Sequence, residues 1–194
     1  MGLVRTSGPA SEPVTTSEAK THLRVTSSSD DTYIGSAITA ARELCENYTG
    51  RCFINQTFQW TLDCFPLSDW EYLIFPRAPL GSVTSVTYYD SNNALQTWSS
   101  AEYDVDTAGN LGRLRPKEGY SWPSTYDRPN AVTVTFVSGY GSAASSVPQS
   151  IKQAMLFHIA DIYDHRATQV TGTSVSAMPF GAANFLAAHV IHWP

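Results

Sequence analysis

DDTYIGSAITAARELCENYTG, residues Asp30–Gly50, has the pattern of one long amphipathic helix, around which the other elements have to pack. Its apolar residues recur at steps of three and four, the repeat of a helix with one apolar face. The acidic residues at its start suit a helix N-terminus, where the helix dipole is positive. A stripe of this kind has to be buried, so we expect the helix to pack against other elements. The stripe consists of Tyr33, Ile34, Ala37, Ile38, Ala41, Leu44, Cys45 and Tyr48.

A shorter helix precedes this stretch, within PVTTSEAKTHLRV, residues Pro13–Val25. Thr15 and Glu18 have the spacing of a capping box, in which the two side chains bind amide groups at a helix start. This spacing predicts a helix over about Thr16–Leu23.

A third helix is predicted near the other end of the chain, from Pro148 to His165. Proline fits a helix start because its missing N–H is not needed there. The apolar residues after it cover more than one face, so this helix should be packed on two sides, in a bundle core and against a neighbouring subunit. The candidate subunit contacts are Met155, His158, Ile162 and Tyr163.

Residues 54–137 change to a repeat of two, which is typical of half-buried antiparallel strands. Phe58, Trp60 and Leu62 alternate with polar residues, and Ala131–Val137 forms a strong closing strand. The sequence therefore predicts an α+β fold, in which a helical bundle carries an inserted antiparallel β domain. The predicted parts are a flexible arm (1–12), a bundle (13–53 with 138–188), the β insertion (54–137) and a C-terminal docking tail (189–194).

The C-terminal segment is unusually apolar for a chain end. It follows a loop of small residues, Thr168–Ala177, and ends in HVIHWP. Exposed apolar surface at a terminus suggests a partner that covers it, although a tail that folds back on its own core would have the same composition. The candidate docking residues are Phe185, Leu186, Val190, Ile191 and Trp193.

Composition narrows the class of protein. The formal charge is −5, with 12 basic against 17 acidic residues, which argues against an electrostatic grip on nucleic acid. No apolar run approaches the ~20 residues that span a bilayer, and the N-terminus has no signal-peptide core, so we expect a soluble protein that is made without export. Cys45, Cys52 and Cys64 have no paired spacing, which favours buried free thiols over a disulfide framework or a zinc site.

Candidate sites for chemistry are weak. His158, Asp161 and His165 share a helix face with Asp164 beside them, but one helix alone rarely forms a metal site, so a structural hydrogen-bonding role is the better interpretation. Nothing in the sequence fixes the distances needed for acid–base catalysis. We therefore expect no enzyme activity, metal or cofactor. The carboxylates considered as acid–base pairs are Asp63, Asp69, Asp104 and Asp106.

The ordered set of motifs resembles the head-tail connector, or adaptor, family of tailed double-stranded DNA bacteriophages over residues 13–188. The segments that carry the resemblance are PVTTSEAKTHLRV, DD with AITAARELCENYTGR, IFPRAPLGSVTSVTYYD, YDVD, SWP, VTVTFVSGYG and VPQSIKQAMLFHIADIYDHR.

This resemblance implies a small helical bundle that forms a ring, usually twelve-fold, beneath the portal of the phage head. The ring would bridge the portal to a stopper or tail-completion protein and leave a channel through which DNA passes. It would lie in the virion neck, with no membrane contact, after assembly in the host cytoplasm. The β insertion departs from the smallest adaptors, which are all helical.

A second class of function stays open at the level of sequence. Aromatic faces can stack on sugar rings, so the β domain could be a carbohydrate-binding module of a phage tail or baseplate. Ordinary core packing explains the same residues without a ligand. The tryptophans concerned are Trp60, Trp70, Trp98 and Trp122.

Overall fold

The computed structural model describes residues 2–68, 71–165 and 180–192. The chain divides into two units. The β unit comprises the chain up to Pro9 together with Asn55–Tyr140, and the helical unit comprises Ala10–Ile54 together with the described residues from Gly141 onward. The predicted fold class is confirmed, because the described residues form four helices and antiparallel sheets.

The helical unit starts with the two helices that the sequence predicts. In α1, the Thr15 hydroxyl accepts a hydrogen bond from the Glu18 amide at 3.2 Å, and the Glu18 carboxylate accepts one from the Thr15 amide at 2.7 Å, so the capping box is confirmed. The longer α2 ends at Gly50, which has φ of 72° in the left-handed region that favours glycine. The helices are α1 (Thr16–Leu23), α2 (Asp31–Thr49), α3 (Gln149–Asp164) and α4 (Phe180–Ala187), with a short 3-10 turn at Ala144–Ser146.

The core of the helical unit lies where α3 packs against both α2 and α4. Most of the predicted apolar stripe of α2 is buried there, but Leu44 and Tyr48 are each 44% exposed. The buried side chains include Val14, Ala19, Ile34, Ala37, Ile38, Ala41, Cys45, Ile151, Ala154, Met155, Ile159, Ala182 and Leu186.

The β unit contains two antiparallel sheets. The larger has the strand order β1-β2-β8-β4-β5, and the smaller has the order β3-β7-β6. The strands are β1 (Gly2–Ser7), β2 (Gln56–Leu62), β3 (Leu73–Ile74), β4 (Leu80–Tyr89), β5 (Leu95–Thr97), β6 (Tyr103–Asp106), β7 (Arg113–Pro116) and β8 (Val132–Ser138).

Alternation along β2 and β8 defines the core of the β unit. Phe58 pairs with Phe136 and Trp60 with Val134 on the buried face, while the polar pair Gln59 and Thr135 occupies the position between them. The rings of Phe58 and Phe136 stack with centroids 5.6 Å apart. The period-two pattern in the sequence therefore indicated the central strands correctly.

The predicted flexible arm over residues 1–12 is wrong for the part that forms a strand, because Gly2–Ser7 pair with β2. Nearly every side chain of β1 is exposed, so main-chain hydrogen bonds hold the strand and no apolar alternation marks it in the sequence. The end of the arm is also held: the Glu12 carboxylate accepts hydrogen bonds from Thr39 and Arg42 of α2. The three residues of β5 are exposed and were missed for the same reason.

The cysteines do not all lie in the core. Cys45 and Cys52 are buried and Cys64 is exposed, so the expectation of three buried thiols is wrong for Cys64. Burial, aided by the negative charge of Glu46, raises the pKa of the Cys45 thiol to about 12. None of the three forms a disulfide.

Candidate contact surfaces

The predicted subunit contacts on α3 fall into two groups. Met155 is fully buried and His158 is 3% exposed, so neither side chain has surface left for a neighbouring subunit. The two-sided burial of α3 was expected to need a second subunit, but α2 and α4 of the same chain provide it. This corrects the expectation for Met155 and His158.

Ile162 and Tyr163 keep part of their surface. The Tyr163 hydroxyl donates a hydrogen bond to the Asp30 carboxylate at 2.6 Å, and the Tyr33 hydroxyl donates one to the Ile162 carbonyl at 3.0 Å. These bonds tie the C-terminal part of α3 to the start of α2. A contact between Ile162 or Tyr163 and a neighbouring subunit stays a prediction.

The C-terminal segment contacts its own helical unit. Leu186 is fully buried and Ile191 is 9% exposed. The Ile191 amide donates to the Thr49 carbonyl at 2.9 Å, and the Arg51 guanidinium donates to the His189 carbonyl at 2.6 Å. Leu186 and Ile191 therefore fold back on the core of their own chain, which is the alternative to an exposed docking tail that the sequence had left open.

Two of the candidate docking residues do reach the surface. Phe185 is 40% exposed while its ring packs 5.8 Å from that of Phe157, and Val190 is half-buried. Trp193 lies outside the described residues. Their role in docking to a neighbouring virion protein stays a prediction.

A group of buried charges forms the electrostatic centre of the helical unit. The Arg42 side chain, 3% exposed, donates to the Glu12 carboxylate at 2.8 Å and to the Glu46 carboxylate at 2.9 Å. Glu46 also accepts a hydrogen bond from the Phe53 amide at 2.7 Å. Burial alone would lower the pKa of Arg42, but the charges of Glu46 and Glu12 outweigh it and raise that pKa. The group therefore joins three separate segments of the chain.

The histidine and aspartate residues of α3 do not converge. The buried His158 Nε2 has no hydrogen-bond partner among the described residues, whereas Asp161 and His165 are exposed and pair with each other at 3.3 Å. Burial lowers the pKa of His158, and Asp161 opposes this effect. In the described part of the chain, no group of three or more His, Cys, Asp or Glu side chains could hold a metal ion.

Two of the four carboxylates weighed for catalysis have a role in local structure. Asp106 pairs with Arg113 across β6 and β7. The hydrogen bond that Arg113 donates is the main reason why the pKa of Asp106 is lowered. Asp63 accepts a hydrogen bond from the Asn130 amide at 2.9 Å. Asp104 is exposed on β6, and Asp69 lies outside the described residues.

The tryptophans considered for sugar stacking belong largely to the core of the β unit. Trp60 and Trp98 are 8% and 3% exposed. Trp122 stacks on Phe65 with centroids 5.3 Å apart, and Trp98 lies 5.3 Å from Trp122. Trp70 lies outside the described residues. Core packing therefore accounts for the three described rings.

The exposure of Leu44 and Tyr48 could not be predicted from the sequence. At about 3.6 residues per turn, all eight apolar residues assigned to α2 fall on one face, and nothing in their spacing sets these two apart. The structure buries most of that stripe and leaves Leu44 and Tyr48 exposed.

Comparison with known proteins supports the resemblance seen in the sequence. Residues 14–107 match the model of the phage gp6-like head-tail connector protein family, so that resemblance is confirmed. The matched region covers α1, α2 and the strands β2–β6. This stretch of the chain is therefore similar to a head-tail connector of the phage gp6-like type. A search of curated proteins finds no match.

Solved structures share the fold over the whole chain. A chain in the neck of an empty gene transfer agent (GTA) particle, computed with C6 symmetry, has a TM-score of 0.80 at 22% identity. A chain in the virion of a native GTA particle gives the same values, and one in a native GTA neck computed with C12 symmetry has a TM-score of 0.71 at 21% identity. Each match covers 100% of this chain and 97% of the other.

Proposed function

We propose that this protein is a structural component of the virion neck, where copies of it form a ring between the portal vertex of the head and the stopper or tail. The observation that carries the proposal is the fold likeness over the entire chain to proteins of GTA necks, together with the connector match over residues 14–107. The C6 and C12 symmetries of those necks support a ring. Twelve copies is the number that the family resemblance favours.

A structural role also agrees with the chemistry of the described residues. Buried charges are paired in the Arg42 group, and two of the carboxylates considered for catalysis, Asp63 and Asp106, bind a backbone amide and an arginine. Such groups hold the fold together and leave no acid and base facing a shared substrate position. We therefore propose that the protein is not an enzyme.

Net charge fits a ring around a DNA channel. The chain carries 17 acidic and 12 basic residues, and like charge discourages DNA from adhering to a wall that it passes. DNA would thus be a transient, non-specific neighbour of this protein.

The exposed part of the C-terminal segment is the proposed contact with a neighbouring virion protein, with the portal favoured. Phe185 supplies a large exposed ring, and Val190 of the same segment is half-buried. Trp193, the third residue of the proposed contact, lies outside the described residues. Aromatic side chains of this kind often contribute ~2 kcal/mol or more at an interface centre.

Disruption of the gene tests the proposal. Phage that lack the protein should package DNA into heads but accumulate heads and tails that do not join, and supplying the intact chain in trans should restore tailed particles. Normally tailed, infectious particles in the absence of the protein would refute a connector role.

A further inference from the structure

One face of α2 stays exposed although its composition is partly apolar. Ser36, Ala40, Leu44 and Tyr48 follow one another at steps of four, and all four are exposed. Side chains at this spacing lie above one another on the same face of a helix. The face, which we call the α2 stripe, extends over about 18 Å at a rise of 1.5 Å per residue.

The α2 stripe differs from the rest of the helix in a way that favours a partner. The other large apolar side chains of α2 are buried or half-buried in the helical unit, whereas Leu44 and Tyr48 are each 44% exposed one turn apart. Side chains four residues apart are neighbours on a helix surface, so these two present adjacent apolar area, and tyrosine is enriched in protein interfaces. The small residues Ser36 and Ala40 would let a neighbouring element approach the first half of the helix closely.

We propose that the α2 stripe is a contact surface between adjacent copies of this chain in the ring. This proposal rests on the proposed function. The occupant is a second copy, because the neck structures that share the fold over the whole chain were computed with C6 and C12 symmetry. A ring is closed by contacts between unlike surfaces, so the stripe would face a different surface of the next copy.

The shape of the stripe also favours a neighbouring copy over the portal. It runs along the body of α2 and is not confined to one end, which suits an element that lies alongside the helix. Copies side by side in a ring present their elements to one another in this way. A portal contact is the competing outcome and is distinguished below.

Glutamate substitutions test the energetic role of the stripe. Leu44→Glu and Tyr48→Glu should each reduce incorporation of the protein into particles at least ten-fold, because a charge would be buried in an apolar contact. Thermal melting and helical circular dichroism of the isolated variants should stay as in the wild type, since both positions face solvent in the single chain. Leu95→Glu, at a 61% exposed leucine of β5, is the matched control and should incorporate normally.

Photo-cross-linking identifies the occupant even if a glutamate variant folds poorly. p-Benzoyl-phenylalanine in place of Tyr48 keeps an aromatic side chain at the site. Irradiation of particles that contain two differently tagged forms of the chain should link one form to the other. Cross-links to the portal alone, or within one chain alone, would overturn the proposal, as would normal incorporation of both glutamate variants.

Different results would refute the neck function and the role of the α2 stripe. If the wild-type protein never enters particles, the proposed neck function is wrong, and the stripe proposal falls with it. If the wild type forms a ring in the neck but Tyr48 cross-links to no second copy, only the assignment of the stripe is wrong.

Discussion

Arg42 is the residue on which the helical unit depends most. Its guanidinium is buried between Glu12 and Glu46, and Glu46 in turn binds the Phe53 amide. Removal of one partner from a buried ion group leaves the others as uncompensated charges, which costs more than the intact group contributes. This group could not be predicted from the sequence, because Arg42 and Glu46 are charged residues beside an apolar stripe, a position usually exposed to solvent.

We expect Arg42→Met to lower the free energy of unfolding by about 3–5 kcal/mol. The exposed Glu43 lies 3.6 Å from Arg42, so Glu43→Gln is a matched control that should change stability by less than about 1 kcal/mol. Urea unfolding followed by circular dichroism measures both. Equal free energies of unfolding for the two variants would show that the buried Arg42 group adds no more to stability than an exposed ion pair does.

His158 makes the stability of the protein dependent on pH. Burial lowers its pKa in the folded chain below the ordinary value of 6.5, and burial with the nearby Arg51 lowers that of His189 in the same direction. The unfolded chain therefore binds protons that the folded chain does not. Stability is complete above the ordinary histidine pKa and is lost as pH falls below about 6.5.

We expect His158→Leu to reduce this loss between pH 7 and pH 5, with the slope falling by up to about 1.4 kcal/mol per pH unit. The variant should be at least as stable as the wild type at pH 7, because it removes a buried nitrogen that lacks a hydrogen-bond partner among the described residues. Unfolding curves across this pH range provide the test, with His165→Gln, at an exposed site, as the control. An unchanged slope would contradict the argument.

At the scale of secondary-structure elements, the sequence predicted the helices and strands that are marked by a capping motif or by a regular apolar repeat. The Thr15–Glu18 capping box and the three-to-four repeat give α1 and α2, and alternation gives β2 and β8. β1 and β5 lack alternation because their side chains are exposed. The predicted contacts Met155 and His158 failed for another reason: a sequence shows that a helix face must be covered, but not whether α4 or a second subunit covers it.

The C-terminal segment leads to an element-scale prediction that differs from the one the sequence alone would give. Truncation after Ala183 removes the buried Leu186 and Ile191, and with them the hydrogen bond from Arg51 to the His189 carbonyl. We expect the truncated chain to lose about 2 kcal/mol or more of stability, which a lower Tm would show.

Phe185→Ser separates folding from docking in the same segment. Phe185 is 40% exposed, so this variant should keep most of the wild-type Tm while its incorporation into particles falls. An unchanged Tm after truncation at Ala183 would mean that the segment serves docking alone, and normal incorporation of Phe185→Ser would remove that residue from the contact.

At the scale of the whole molecule, the helical unit is made from two separate parts of the chain and the β unit from two others. The sequence showed the insertion but not that residues up to Pro9 belong to the β unit, because an exposed strand has no apolar pattern. The excess of acidic over basic residues argues against a strong electrostatic grip on DNA. None of the helices in the described residues is long and apolar enough to cross a membrane.

Deletion of the β unit tests whether the helical unit folds by itself. The variant lacks residues 1–9 and 55–140, and a short Gly/Ser linker joins Ile54 to Gly141. We expect it to keep the helical circular dichroism and cooperative melting of α1–α4, because the Arg42 group and the core around α3 remain intact. Loss of helical signal on this deletion would mean that the two units depend on one another for folding.

The central claim is that this chain forms a ring in the neck of a virion. Electron cryomicroscopy of purified particles, with the protein carrying a small tag for identification, tests it most directly. We expect a closed ring of tagged copies between the portal and the tail, with α2 of each copy beside the neighbouring copy. Tagged density at the tail tip or baseplate, or particles with a complete neck that contains no tagged ring, would contradict it.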